Sequence, residues 1–174
     1  MNIIMNFPQN QEIWRAVNCF LNYEISSHGR VRNAITGKIL KPGLTRGYLH
    51  IGLMKDKKRH NIYIHRMVAD AFIENKDHEN KKCVDHIDNN KLNNYYLNLR
   101  WASNRENSGN VNISIKNTSG YKGVSFYNKL NKWQCKVANQ HVGYFKTKEE
   151  AARAYNTKAL ELFGEFAKMN VIEK

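Results

Sequence analysis

Paired cysteines, a secretory leader and a membrane-length apolar run are all missing from this 174-residue chain. Cys19, Cys83 and Cys135 lie far apart and no C-x-x-C pair occurs, which excludes an ordinary structural zinc ribbon. An odd cysteine count fits a reducing compartment, with the thiols serving as small core residues. Met1 to Pro8 carries neither the basic start nor the long apolar stretch of a secretory signal. No segment approaches the roughly 20 apolar residues that a spanning helix needs. Acidic residues are also scarce: 15 Asp plus Glu stand against 28 Lys plus Arg, a net charge of +13. Such an excess points to a polyanionic partner, because each cation set against a phosphate releases condensed counterions. A nucleic acid, such as double-stranded DNA, is the expected partner and a membrane is not; a merely solvated basic surface is the alternative.

What is present suits several small modules. Hydrophobic residues make up 41% of the chain, enough for packed cores but not for one large one. Modules of about 60 residues bury little of their surface. Residues 11–64 read as a β-rich module. Tyr23-Glu24-Ile25-Ser26 leads into a turn at Ser27-His28-Gly29, and Arg30-Val31-Arg32 follows. Gly37 and Gly43 mark further turns. Tyr48 to Leu53 and Asn61 to Ile64 alternate with period two. From His65 to Phe72 the spacing becomes helical, with Val68, Ala71 and Phe72 on one face. His65 falls on that face too and is expected to be structural.

Residues 65–110 hold the candidate chemistry, and the polar stretch 111–119 reads as a linker. In 120–171, three strands are expected at Tyr121–Phe126, Trp133–Ala138 and His141–Phe145. Turns would fall at Asn128–Asn131 and Asn139-Gln140. Thr147-Lys148-Glu149-Glu150 is a capping box. Ala151, Tyr155, Ala159 and Leu162 then form an apolar helical stripe that Gly164 ends. The expected class is α+β: a small β-rich module, a compact core, and a three-stranded antiparallel sheet packed on one helix.

The chemistry-bearing stretch runs strand, loop, strand, helix. Val84-Asp85-His86 precedes a polar loop, Leu97 to Trp101 forms a second strand, and Ser103-Asn104-Arg105-Glu106 caps a short helix holding Asn107. Phosphodiester hydrolysis needs a base to activate water and a cation to stabilise developing negative charge. His86 is a candidate base, because imidazole is partly neutral near pH 7. Asp85 and the Asn107 carbonyl are hard oxygen donors suited to Mg²⁺ or Mn²⁺. Asn98 could hold the imidazole in orientation. Runs of Asp and Asn also occur in ordinary turns, since their side chains bond local backbone.

Val84-Asp85-His86, Asn98-Leu99-Arg100-Trp101 and Asn107 together closely resemble the HNH nucleases of the phage and intron homing-endonuclease branch. The resemblance implies a ββα-metal core, with His86 as general base, Asp85 and Asn107 as metal ligands, and Asn98 orienting the base. Asn107 stands where many members carry a final His, a departure shared with the phage group; an amide oxygen is a poor zinc ligand. Glu12-Ile13-Trp14, Tyr23 to Ser26 and Gly29-Arg30-Val31 look like the DNA-binding motif that precedes the nuclease in this group. By implication the protein works inside a bacterial host cell, encoded by a phage or mobile element.

The third segment resembles a different family. Tyr121-Lys122-Gly123-Val124, Trp133, Gly143-Tyr144-Phe145, Ala154-Tyr155 and Ala167-Lys168-Met169-Asn170 are similar to the Apetala/ethylene-response-factor DNA-binding domain. That family lays its sheet in the major groove, though Ser125, Tyr127, Asn139 and His141 stand here where plant members tend to carry Arg or Trp. Expected DNA contacts are Arg30, Arg32, Arg100, Arg105, Lys122, Lys132, Trp133, Lys136 and Lys146, the lysines on phosphates; a core position is the other reading of Trp133. The function expected from all this is a site-specific, metal-dependent endonuclease of homing type. With one such cluster, a monomer on DNA would nick one strand. A catalytically dead DNA-binding regulator and a restriction-type nuclease are the alternatives.

Overall fold

The computed structural model describes residues 11–172, so Met1–Pro8 lies outside it. In chain order the strands and helices are β1 (Trp14–Val17), β2 (Phe20–Ser26), β3 (Val31–Asn33), β4 (Gly43–Thr45), β5 (Tyr48–Lys55), β6 (Lys58–Tyr63), α1 (Ile64–Phe72), β7 (Cys83–His86), β8 (Leu99–Ala102), α2 (Asn104–Gly109), β9 (Val124–Tyr127), β10 (Lys132–Val137), β11 (Gln140–Phe145) and α3 (Lys148–Phe163). They fall into two compact units: 11–78 with 90–101, and 79–89 with 102–172. No helix among the described residues is long and apolar enough to cross a membrane.

The first unit holds two antiparallel three-stranded sheets, β1-β2-β3 and β4-β5-β6. Ile25, Val31, Leu53, Ile64 and Val68 are essentially solvent-free at its centre. Burying each such side chain contributes about 1.5–3 kcal/mol. The helix begins at Ile64 and buries Ile64, His65, Met67, Val68 and Ala69; of the expected face, Val68 is buried while Ala71 and Phe72 are only half-buried. The period was legible, but the angle at which the helix meets the sheets selects the face. His65 is buried, its ring 5.0 Å from that of Tyr48 and 5.5 Å from that of Tyr63. β5 and β6 form a hairpin whose turn residues, Asp56 and Lys57, both take positive φ, the geometry that matches strand twist. Gly43 is not a turn: it lies in β4, where an added Cβ would meet the His50 imidazole at 2.8 Å.

The second unit builds its core between the sheet β9-β10-β11 and α3. Val124, Cys135, Val137, Ala151, Tyr155, Ala159 and Phe163 are buried there. The stripe on α3 continues to Phe163, four residues after Ala159, leaving Leu162 at its margin. Thr147 and Glu150 form the reciprocal capping box, and Gly164 closes the helix at φ 53°. The β10–β11 turn sits at Ala138-Asn139, both at positive φ, one residue before its expected place. Among the cysteines only Cys135 is a core residue: burial pushes its thiol up to about 11. Cys19 is exposed and Cys83 partly so, against the expectation of three core thiols.

Candidate active site

Two consecutive polar residues, Asp85 and His86, end β7 and are 4% and 5% exposed. Burial of this kind costs free energy unless the groups are hydrogen-bonded. The strand closes in a turn, with the Asn89 N–H donating to the His86 carbonyl at 2.9 Å and Asn89 at φ 63°. Asn110, just beyond α2, completes the arrangement. Its amide nitrogen lies 3.1 Å from each Asp85 carboxylate oxygen and 2.9 Å from the His86 carbonyl. Its own amide oxygen accepts from Asn89 Nδ2 at 3.1 Å.

The helix carrying Asn107 is only six residues long and depends on its ends. Ser103 and Glu106 form a capping box, in which the Ser103 hydroxyl accepts from the Glu106 N–H and the Glu106 carboxylate accepts from the Ser103 N–H. Burial works against the Glu106 charge, yet the Ser103 N–H and the Lys81 ammonium, 3.0 Å away, hold its carboxyl below the usual range. A depressed carboxylate contributes stability that is present above its unfolded-state value and is lost as pH falls through the folded one. We therefore expect α2 to loosen as pH drops below the ordinary glutamate value of about 4.3. Thermal melts from pH 6 to pH 3 check this: Glu106→Gln should flatten the acid limb, and an unchanged slope would remove Glu106 as its cause.

At the other end of α2, the Gly109 carbonyl accepts from Lys122 Nζ at 2.8 Å and from the Lys168 N–H at 3.1 Å. An added Cβ on Gly109 would meet the Phe163 ring at 2.6 Å, so only glycine lets α2 approach α3 this closely. The Lys122 ammonium lies 5.9 Å from the centre of the Tyr155 ring. Burial, and then the Lys168 charge, lower its pKa to about 8. Its observed partner is thus the end of α2.

The donor chemistry fits a hard cation. Among the described residues no group of three or more His, Cys, Asp or Glu could hold a metal, so a closed zinc cage is not built here. Asp85 and Asn107 offer oxygen donors, and Mg²⁺ characteristically uses one or two carboxylates while keeping water and phosphate ligands. Both are in the second unit with His86. Asn98 belongs to the first unit, where its amide donates to the Asn93 carbonyl at 2.8 Å.

The expected DNA contacts divide by environment. Arg30 is paired with Glu12, and Arg32 Nε meets Glu24 at 2.6 Å, both guanidinium groups lying near the Trp14 ring. Arg100 is half-buried and Arg105 exposed. Lys132, Lys136 and Lys146 are exposed, whereas Trp133 packs against the core beside Phe126, 5.1 Å away. Alternation along β10 puts Lys132, Gln134 and Lys136 on the face opposite Trp133, Cys135 and Val137. Their cross-strand partners include Tyr127, Tyr144 and His141. Gln134 Nε2 donates to the Tyr144 hydroxyl at 3.2 Å.

Sequence reasoning missed Asn110 and Asn89. The available signal was Asn110's place three residues after Asn107, one turn on, but a side chain's reach across to β7 is not written in local spacing.

Comparison with known proteins gives two consecutive matches. Residues 12–54 match the NUMOD4 motif, and residues 63–108 match the HNH endonuclease family. The chain is 39% identical over 98 residues to a protein named as the uncharacterized HNH endonuclease L245 of Acanthamoeba polyphaga mimivirus, covering 56% of this chain and 29% of that protein. It is 38% identical to the DNA endonuclease I-HmuI of Bacillus phage SP01, covering 53% of this chain and 56% of that one. A solved structure of I-HmuI, described as showing DNA binding and cleavage, is 34% identical over 58% of this chain and 62% of that one, at a TM-score of 0.49. Protein 3.8 of Escherichia phage T7 is 38% identical over 49% of this chain and 73% of its own length. The chain therefore spans under two thirds of L245 and of I-HmuI. Asp85, His86 and Asn107 all lie inside residues 63–108, the stretch by which this chain carries an HNH endonuclease domain.

Proposed function

We propose that this protein is a site-specific, metal-dependent DNA endonuclease of homing type that hydrolyses one phosphodiester bond and nicks one strand per monomer. The observation that carries the reading is the buried Asp85-His86 pair at the end of β7, within the residues matched to the HNH endonuclease family. His86 takes a proton from the attacking water. The Asp85 carboxylate and the Asn107 amide oxygen would hold Mg²⁺ or Mn²⁺. When bound, that ion supplies positive charge against the phosphate and the leaving oxygen. His86 is set in direction by its backbone, because its carbonyl accepts from both Asn89 and Asn110. Asn98 keeps the orienting part that the motif implies.

Residues 11–64, 65–110 and 120–171 act as three DNA-contacting modules, with 111–119 as the connection. Tethering raises the effective concentration of each successive contact. Lys132, Lys136 and Lys146 bring exposed positive charge to the third module, whose resemblance to the Apetala/ethylene-response-factor domain makes its outer sheet face the DNA side. Arg105 offers a further exposed cation, and Arg100 a half-buried one. Arg30 and Arg32 must exchange or share their glutamate partners to reach phosphate. A DNA substrate places the protein inside a cell, with a phage-infected bacterium as the natural setting.

Supercoiled plasmid carrying the target region tests the reading. Open circles that form with Mg²⁺ or Mn²⁺ and not with EDTA are expected. Linear product would point to paired action at one site. Tight, salt-sensitive binding without any cleavage would replace the nuclease by a DNA-binding regulator.

A further inference from the structure

We propose that Asn110 is a positioning residue for the cation-binding carboxylate, holding Asp85 and the end of β7 in the arrangement the ion requires. The proposal rests on the metal-dependent reading above. Asn110 is 4% exposed, and its single amide nitrogen reaches both Asp85 oxygens and the carbonyls of His86 and Ile87. Such a shared contact holds both Asp85 oxygens from one side and opposes rotation of the carboxylate. The amide is itself oriented, because its oxygen accepts from Asn89 Nδ2 and thereby fixes which end of the side chain faces Asp85. The backbone beneath it is anchored one residue earlier, where the Gly109 carbonyl accepts from Lys122 and from Lys168. A chain of hydrogen bonds thus runs from the third module through residues 109 and 110 to the carboxylate. The third module supports the site as well as presenting a DNA-facing sheet.

Groups that orient a metal ligand change metal affinity or activity by about 10–100-fold when removed. Mn²⁺ binding to the full chain, followed by electron paramagnetic resonance, measures this without cleavage. Asn110→Ala is expected to weaken Mn²⁺ binding by about tenfold or more, while DNA affinity in EDTA stays within about twofold. Raised Mg²⁺ should recover part of its cleavage. Asp85→Ala is the reference. Undiminished Mn²⁺ affinity in Asn110→Ala, beside clear loss in Asp85→Ala, overturns the role of Asn110 alone. No loss in Asp85→Ala overturns the metal reading and this proposal together. Should Asn110→Ala fail to fold, Asn89→Gly carries the test, since glycine accepts the positive φ and only the orienting bond is removed. A Mn²⁺ affinity equal to wild type in that variant counts against the proposal, and a weakened one supports it.

Discussion

His86→Ala should lose cleavage by at least about 10²–10⁴-fold, the contribution of a positioned acid or base, while retaining DNA binding. The separation follows from how the residue is held. The bonds from Asn89 and Asn110 go to the His86 backbone carbonyl and survive truncation of the ring. The Asp85–Asn110 contacts likewise do not involve the imidazole. Loss of activity would therefore report the missing proton acceptor, provided that melting temperature and DNA affinity remain close to wild type. The measurement is the rate of nicking of supercoiled plasmid in Mg²⁺ for the two proteins side by side. Cleavage at the wild-type rate would remove His86 from the mechanism. A large drop in affinity with the same loss of rate would instead assign His86 to binding.

Gly123→Ala should destabilise the second unit more than any other single-methyl addition to its loops. Gly123 takes φ +73°, and a Cβ there would lie 2.3 Å from the Tyr155 ring and 2.4 Å from the Lys136 carbonyl. The ring belongs to the core, and the carbonyl to a strand whose Lys136 N–H already donates to Gly123 at 2.8 Å. Neither can move without disturbing β10 or the packing of α3 on the sheet. Left-handed backbone costs an alanine about 1–2 kcal/mol. Overpacking adds about 1–3 kcal/mol, so a total near 3 kcal/mol is expected. That is a large fraction of the roughly 5–15 kcal/mol that stabilises an ordinary domain. Gly120→Ala is the matched control: φ is +81° but nothing lies within 4 Å of the added carbon. Its cost should be the conformational term alone. Denaturant unfolding of both variants separates the two, and equal losses would show that the Tyr155 contact does not matter.

Much of the architecture was written in local rules. Both capping boxes, Ser103 with Glu106 and Thr147 with Glu150, occur where the spacing placed them, because a cap joins groups three residues apart. The three strands of the last segment lie within three residues of their expected ends, since alternation and turn residues act over short stretches. Tyr155 and Ala159 point into the core as the helical period requires. The Asp-His-Asn set was visible as a motif, and the HNH endonuclease match falls on the same residues.

Other properties depended on partners distant in the chain. Phe163 rather than Leu162 completes the α3 stripe because the space it fills is bounded by Gly109, 54 residues earlier by position. Lys122 read as a phosphate contact, since a lysine's charge is evident in sequence and its burial against α2 is not. Arg30 and Arg32 carried the same expectation, but strand register sets Arg32 opposite Glu24, and Arg30 pairs with Glu12. Asn110 shows the division most sharply. Sequence by itself supplied an amide one helical turn beyond Asn107, one of many in this asparagine-rich stretch. Only the tertiary fold brought it to the Asp85 carboxylate across 25 residues of chain, because hydrogen bonds are short and directional while sequence patterns carry only periodicity.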